Sequence, residues 1–121
     1  MAKSVCILVR HAPYGMTHAA EAVRHINGAV TNGFATTAIF VDDGVYVLKT
    51  QQDVAVTGFT NLGNALADAL AKMEPKASIL VHRFSAGMRG LGEEDILPGV
   101  QWVDDAELAE LLTDTTNLML F

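Results

Sequence analysis

The chain has 121 residues, half of them hydrophobic, with a single cysteine and a formal charge of −6. That length suits one domain (residues 1–121) with a real core, while one cysteine excludes an intramolecular disulfide or a cysteine-rich zinc site and fits the cytoplasm. An acidic chain whose basic residues are scattered is a poor direct ligand for nucleic acid; no apolar run is long enough to span a membrane and no signal-peptide core opens the chain, so the apolar surplus points to subunit interfaces and an oligomer.

In chain order, Ser4-Val5-Cys6-Ile7-Leu8-Val9 is a continuous apolar run, as a strand buried on both faces of a parallel sheet reads. It breaks at Arg10-His11-Ala12-Pro13-Tyr14-Gly15, where Pro13 and Gly15 make a turn. A helix follows from about Thr17 to Thr31, burying Ala19, Ala22, Val23, Ile26 and Val30 and turning His18, Glu21, Arg24 and His25 outward. Asn32-Gly33 ends it, with Gly33 suited to a left-handed cap. A second strand covers Thr37–Val41, and after Asp42-Asp43-Gly44 a short helix covers Val45–Lys49.

Gln51 to Gly58 reads as irregular. Asn61–Met73 is the cleanest helix, with Leu62, Ala65, Leu66, Ala69, Leu70 and Met73 as its buried stripe and Pro75 as its stop. Strands at Ser78–His82, Val100–Val103 and Asn117–Phe121 complete the set. Asp104 and Glu107 have capping-box spacing for a last helix that buries Leu108, Leu111 and Leu112. Strands alternating with helices imply a three-layer α/β/α, flavodoxin-like fold with a five-stranded parallel sheet.

In such sheets ligands gather beyond the carboxyl ends of the strands, so Arg10-His11 is the first candidate site. A strand running into Arg-His resembles the start of histidine phosphatases, with His82-Arg83 able to imitate the second histidine. Ala12 stands where that family has glycine, and the chain is too short for the insertions that complete such a phosphate pocket. Pro13 lacks a backbone N–H, which makes the turn a poor phosphate nest. His18, Glu21 and His25 could supply metal ligands from one helix face, but a closed site needs a further ligand; we assign no metal and no cofactor. Asp42 and Asp43 could bind a hard cation, but residues so placed more often cap the next helix. Cys6 sits inside an apolar strand, where a thiol packs as a small hydrophobe.

Several segments together resemble the DsrE/DsrF-like proteins, closest to the TusC/DsrF branch. Ala12-Pro13-Tyr14-Gly15 with Glu21 resembles that branch's first turn and helix, and Phe40-Val41-Asp42-Asp43-Gly44-Val45-Tyr46 its Asp-Gly-Val-aromatic signature. Leu48-Lys49-Thr50-Gln51-Gln52, the Arg89-Gly90-Leu91 segment and the final Asn117-Leu118-Met119-Leu120-Phe121 follow in the family's order. The resemblance implies sulfur handling: assemblies that oxidise sulfur or relay it for tRNA 2-thiolation, whose catalytic member carries a persulfide-forming cysteine just after the third strand. His82 is the nearest position here, so the resemblance implies a subunit that is not catalytic by itself.

Three readings follow. The first is a non-catalytic cytoplasmic subunit, either a homo-oligomer (a trimer or a hexamer) or paired with a cysteine-bearing homologue, that uses the apolar surplus with Tyr14, Tyr46 and Phe84 for contacts. The second is a stand-alone homo-oligomer that binds a small ligand; the third is phosphotransfer on His11. For the first two, the ligand or partner surface comprises His11, Tyr14, Asp43, His82 and Arg83.

Overall fold

A computed structural model describes residues 4–55, 57–72 and 78–121 of the chain. Its centre is a five-stranded, all-parallel sheet: β1 (Ser4–Val9), β2 (Ala35–Phe40), β3 (Ser78–His82), β4 (Gln101–Val103) and β5 (Leu118–Leu120), in the spatial order β4-β3-β2-β1-β5. Helices α1 (His18–Thr31) and α2 (Leu62–Lys72) join β1 to β2 and β2 to β3, α3 (Arg83–Met88) follows β3 directly, and α4 (Asp105–Asp114) leads into β5. A 3-10 helix, Asp42–Leu48, extends from the end of β2.

Alternate strand residues serve the two faces, as a pleated sheet requires. Ile7, Val9, Ala38, Phe40, Ile79 and Val81 pack toward α1, α2 and the 3-10 helix; Cys6, Ile39, Leu80 and Val103 pack against α4. The first core is the deeper one. Ala19, Ala22, Val23 and Ile26 of α1 are buried there, with Val30 half-buried beside them. On the other face Leu108, Leu111 and Leu112 of α4 are only half-buried, so the second layer is thin.

Local chemistry explains the boundaries. Gly33 at φ +79° leaves α1 through the left-handed conformation that Asn32-Gly33 implies. Asp104 accepts from Glu107 N–H at 2.8 Å while the Glu107 side chain accepts from Asp104 N–H at 3.2 Å, a complete capping box at the start of α4. Leu62, Leu66 and Ala69 form the buried stripe of α2; Met73 and Pro75, expected to end that stripe and stop the helix, lie outside the described residues.

Two expectations change. The Asp42-Asp43 pair does not cap the helix after it: that helix begins at Asp42 itself, its N-cap is Val41, and no side-chain cap bond forms. Helix α3 was not legible as a helix, because Arg83-Phe84-Ser85-Ala86-Gly87-Met88 has no apolar period and contains a glycine.

Gly44 is the tightest point between the 3-10 helix and the sheet. A Cβ there would lie 2.1 Å from Val9 O and 2.8 Å from Val9 C, both backbone atoms. Only glycine lets the helix lie this close to the end of β1.

Candidate functional site

Polar groups collect at the carboxyl ends of the strands in two clusters. The first follows β1. His11 and His18 stack with ring centroids 4.1 Å apart and planes within 16°. In both rings Nδ1 is buried and has no hydrogen-bond partner among the described residues. Nearby, the Tyr14 hydroxyl donates to Gln52 Oε1 and accepts from Leu62 N–H at 3.2 Å. The Gln52 side-chain nitrogen donates to Val47 O and Lys49 O, each at 2.9 Å, and the Gln52 backbone carbonyl accepts from Asn61 Nδ2 at 2.9 Å. One glutamine thereby ties the β1 turn, the end of the 3-10 helix and the start of α2 together. Tyr14 also faces Phe59 with parallel rings, and together with Pro13, Met16, Thr17 and Leu62 these residues line an open groove of about 380 Å³.

The second cluster follows β3. His82 Nε2 lies 2.6 Å from Asp105 Oδ1, and its Nδ1 lies 2.7 Å from Ser85 Oγ. With the ring proton assigned to Nε2, which faces a carboxylate, Nδ1 accepts from the Ser85 hydroxyl. Ser85 Oγ in turn accepts from Asp42 N–H at 2.9 Å. Asp42 sits at φ +51°, a left-handed conformation that aspartate tolerates. Beside this chain Arg89 donates to Asp43 Oδ1 and to Ser85 O, both at 3.0 Å, and the Arg83 guanidinium lies 5.3 Å over the Trp102 ring.

Ser85, His82 and Asp105 have the connectivity of a serine–histidine–carboxylate relay, but the geometry is that of a latch. Ser85 is 3% exposed and its oxygen points to a backbone amide of the 3-10 helix. A nucleophile must reach its substrate. The latch joins β3, α3, α4 and the 3-10 helix at one point.

The five residues expected on a ligand or partner surface thus divide. His11 and Tyr14 belong to the β1 cluster, while Asp43, His82 and Arg83 belong to the β3 cluster. Sequence reasoning missed Ser85, Asp105 and the hub role of Gln52. The His82-x-x-Ser85 spacing and the Gln51-Gln52 loop were the only signals, and neither specifies a partner. His18, Glu21 and His25 do not converge: His18 stacks on His11, Glu21 pairs with Arg24, and His25 Nδ1 meets Glu21 O at 2.7 Å. Among the described residues no group of three or more His, Cys, Asp or Glu could hold a metal ion, and no helix is long and apolar enough to cross a membrane.

Cys6, the sole cysteine, is 4% exposed on the α4 face. Burial pushes its thiol up from the ordinary value, and a hydrogen bond with Thr115 offsets this only in part. It has neither the exposure nor the lowered pKa of a reactive thiol.

A parallel sheet covered on both faces, with its polar groups at the strand ends, defines a three-layer, flavodoxin-like α/β/α protein. Within that class the chain belongs to the DsrE/DsrF-like family, whose model matches residues 3–121. It is 28% identical over 133 aligned positions to the intracellular sulfur oxidation protein DsrF of Allochromatium vinosum, covering 98% of this chain and 96% of that protein. It is 26% identical over 115 residues to an uncharacterized protein of Methanocaldococcus jannaschii, covering 95% and 96%. Among solved structures, the ychN protein of E. coli superposes with a TM-score of 0.86 at 16% identity, covering 98% of this chain and 99% of that one. A Methanobacterium thermoautotrophicum protein of unknown function does so with a TM-score of 0.72 at 10% identity over the whole of both chains.

Proposed function

We propose that this protein is a single-domain, cytoplasmic subunit of a sulfur-relay or sulfur-oxidation assembly, one that lacks a persulfide cysteine and works by assembling with a partner that carries one. The observation that carries this reading is the end of β3. There, at the position nearest to the one where the resemblance puts the catalytic members' cysteine, His82 stands locked between Ser85 and Asp105, while the one thiol of the chain is buried in the core. Persulfide transfer needs an exposed thiolate. Bringing Cys6 out would require opening the core between the sheet and α4.

The exposed ridge of α3 supports a partner surface at this point. Phe84 is 61% exposed and Met88 is 68% exposed, one helical turn apart beside His82. Sulfur oxidation and tRNA 2-thiolation both use such relays, and the acidic chain leaves any tRNA contact to another component. A second reading, binding of a small apolar ligand by a homo-oligomer, is favoured by the groove at Tyr14 and Phe59.

The test is intact-mass spectrometry after incubation with a polysulfide donor. Wild type should gain no sulfur, whereas His82→Cys, which places a thiol at the strand end, should gain one sulfur atom. A stable adduct on Cys6 of the wild type overturns the proposal.

A further inference from the structure

We propose that the free edge of β5 is a homotypic interface, where β5 of a second copy adds antiparallel across a two-fold axis through Met119. The inference is independent of the sulfur-relay reading, because it uses neither β3 nor its latch.

Backbone parity defines the edge. Cys6 N–H donates to Asn117 O, Phe121 N–H to Leu8 O, and Arg10 N–H to Phe121 O, at 2.8 to 2.9 Å. Residues 117 and 121 therefore face β1, and the N–H and C=O of Leu118 and Leu120 turn outward. An antiparallel copy centred on Met119 sets Leu118 opposite Leu120 of the partner subunit, and the reverse. Both pairs then exchange N–H···O=C bonds, and the Met119 residues form the non-hydrogen-bonded pair between them.

The side chains agree with this register. Leu118 and Leu120 pair with Cys6 and Leu8 of β1 and so lie on the α4 face; they are 44% and 59% exposed. The two-fold axis brings them together with the same leucines of the partner subunit as one apolar ridge beside the α4 helices. A strand apolar on both faces is the pattern of a strand inside a sheet, not of an edge.

Charge does not oppose a second copy as the occupant. The chain carries −6 overall, yet Thr115 to Phe121 contains no ionisable side chain. Two acidic molecules meet with least repulsion along such a strip. The β4 edge has the opposite character. Arg83 covers Trp102 there, and Glu107, Glu110 and Asp114 stand beside Gln101, the kind of charges that keep an edge from pairing.

A cysteine cross-link reads the register directly. Opposed Cα atoms of a non-hydrogen-bonded antiparallel pair are about 4.5 Å apart, within the roughly 4.4–6.8 Å that a disulfide spans. Full-length Met119→Cys should oxidise to a covalent dimer, while Leu120→Cys, opposed by leucine and paired in its own chain with Leu8 rather than Cys6, should not. Sedimentation equilibrium should give the wild type an even number of subunits. The double variant Leu118→Glu, Leu120→Glu, altered only at exposed positions, should halve that mass with an unchanged circular dichroism spectrum. A wild-type monomer, a closed trimer (which has no two-fold axis), or equal cross-linking at both cysteine positions overturns the proposal. So does a double variant that keeps the wild-type mass.

Discussion

The turn after β1 and the turn after β3 occupy equivalent places, each at the carboxyl end of a parallel strand, yet their polar groups are handled in opposite ways. After β3 both ring nitrogens of His82 are partnered, and the serine it bonds is partnered again by Asp42 N–H. After β1, two imidazoles lie flat against each other, each with a buried Nδ1 that finds no partner among the described residues. A satisfied buried network rigidifies, whereas an orphaned polar atom costs the free energy of its lost water. The β3 turn is therefore built as a joint. The β1 turn leaves two ring nitrogens without a partner among the described residues.

The 3-10 helix Asp42–Leu48 is the wedge between the two turns, touching Val9 through Gly44 and Ser85 through Asp42. The largest expected effect comes from breaking the contact with Val9. Gly44→Ala puts a methyl group 2.1 Å from Val9 O, and the atoms it meets, in Val9 and Arg10, are all backbone and have little room to yield. It should destabilise by about 4 kcal/mol or more, read as loss of soluble protein or as a much lower urea midpoint; a near-wild-type midpoint would mean that the wedge can move away from β1.

Ser85→Ala should cost about 2 kcal/mol, because it leaves both Asp42 N–H and His82 Nδ1 without their partner. Chemical denaturation measures this, and an unchanged stability would show that the latch does not contribute to the joint.

His18→Phe has the opposite sign. It keeps a flat ring against His11 but removes one orphaned nitrogen, and should stabilise by about 1 kcal/mol. A loss of stability instead would mean that Nδ1 is satisfied after all, for instance by a bound water, and the contrast between the turns would fall.

Much of the fold was legible from residue patterns. The runs at Ser4–Val9 and Ser78–His82, the stripe of α1 and the Asp104/Glu107 box appear where a sheet buried on both faces and an amphipathic helix require them. Legibility failed where a residue's role depends on a neighbour distant in sequence. Asp43 reads locally as a helix cap, yet it pairs with Arg89, 46 residues away. Ser85 and Asp105 look like ordinary helix-start residues until β3 and β4, paired at His82 and Val103, bring them to one histidine.

What the sequence determined by itself was the alternation of strands and helices, the burial of Cys6 and the charge-free final strand, since periodicity and composition are local properties that one chain displays without folding. The tertiary structure alone decided which strand became an exposed edge, which histidine was latched and which was left stacked on another. Those outcomes depend on strand order and on contacts across the sheet, and no local pattern encodes either.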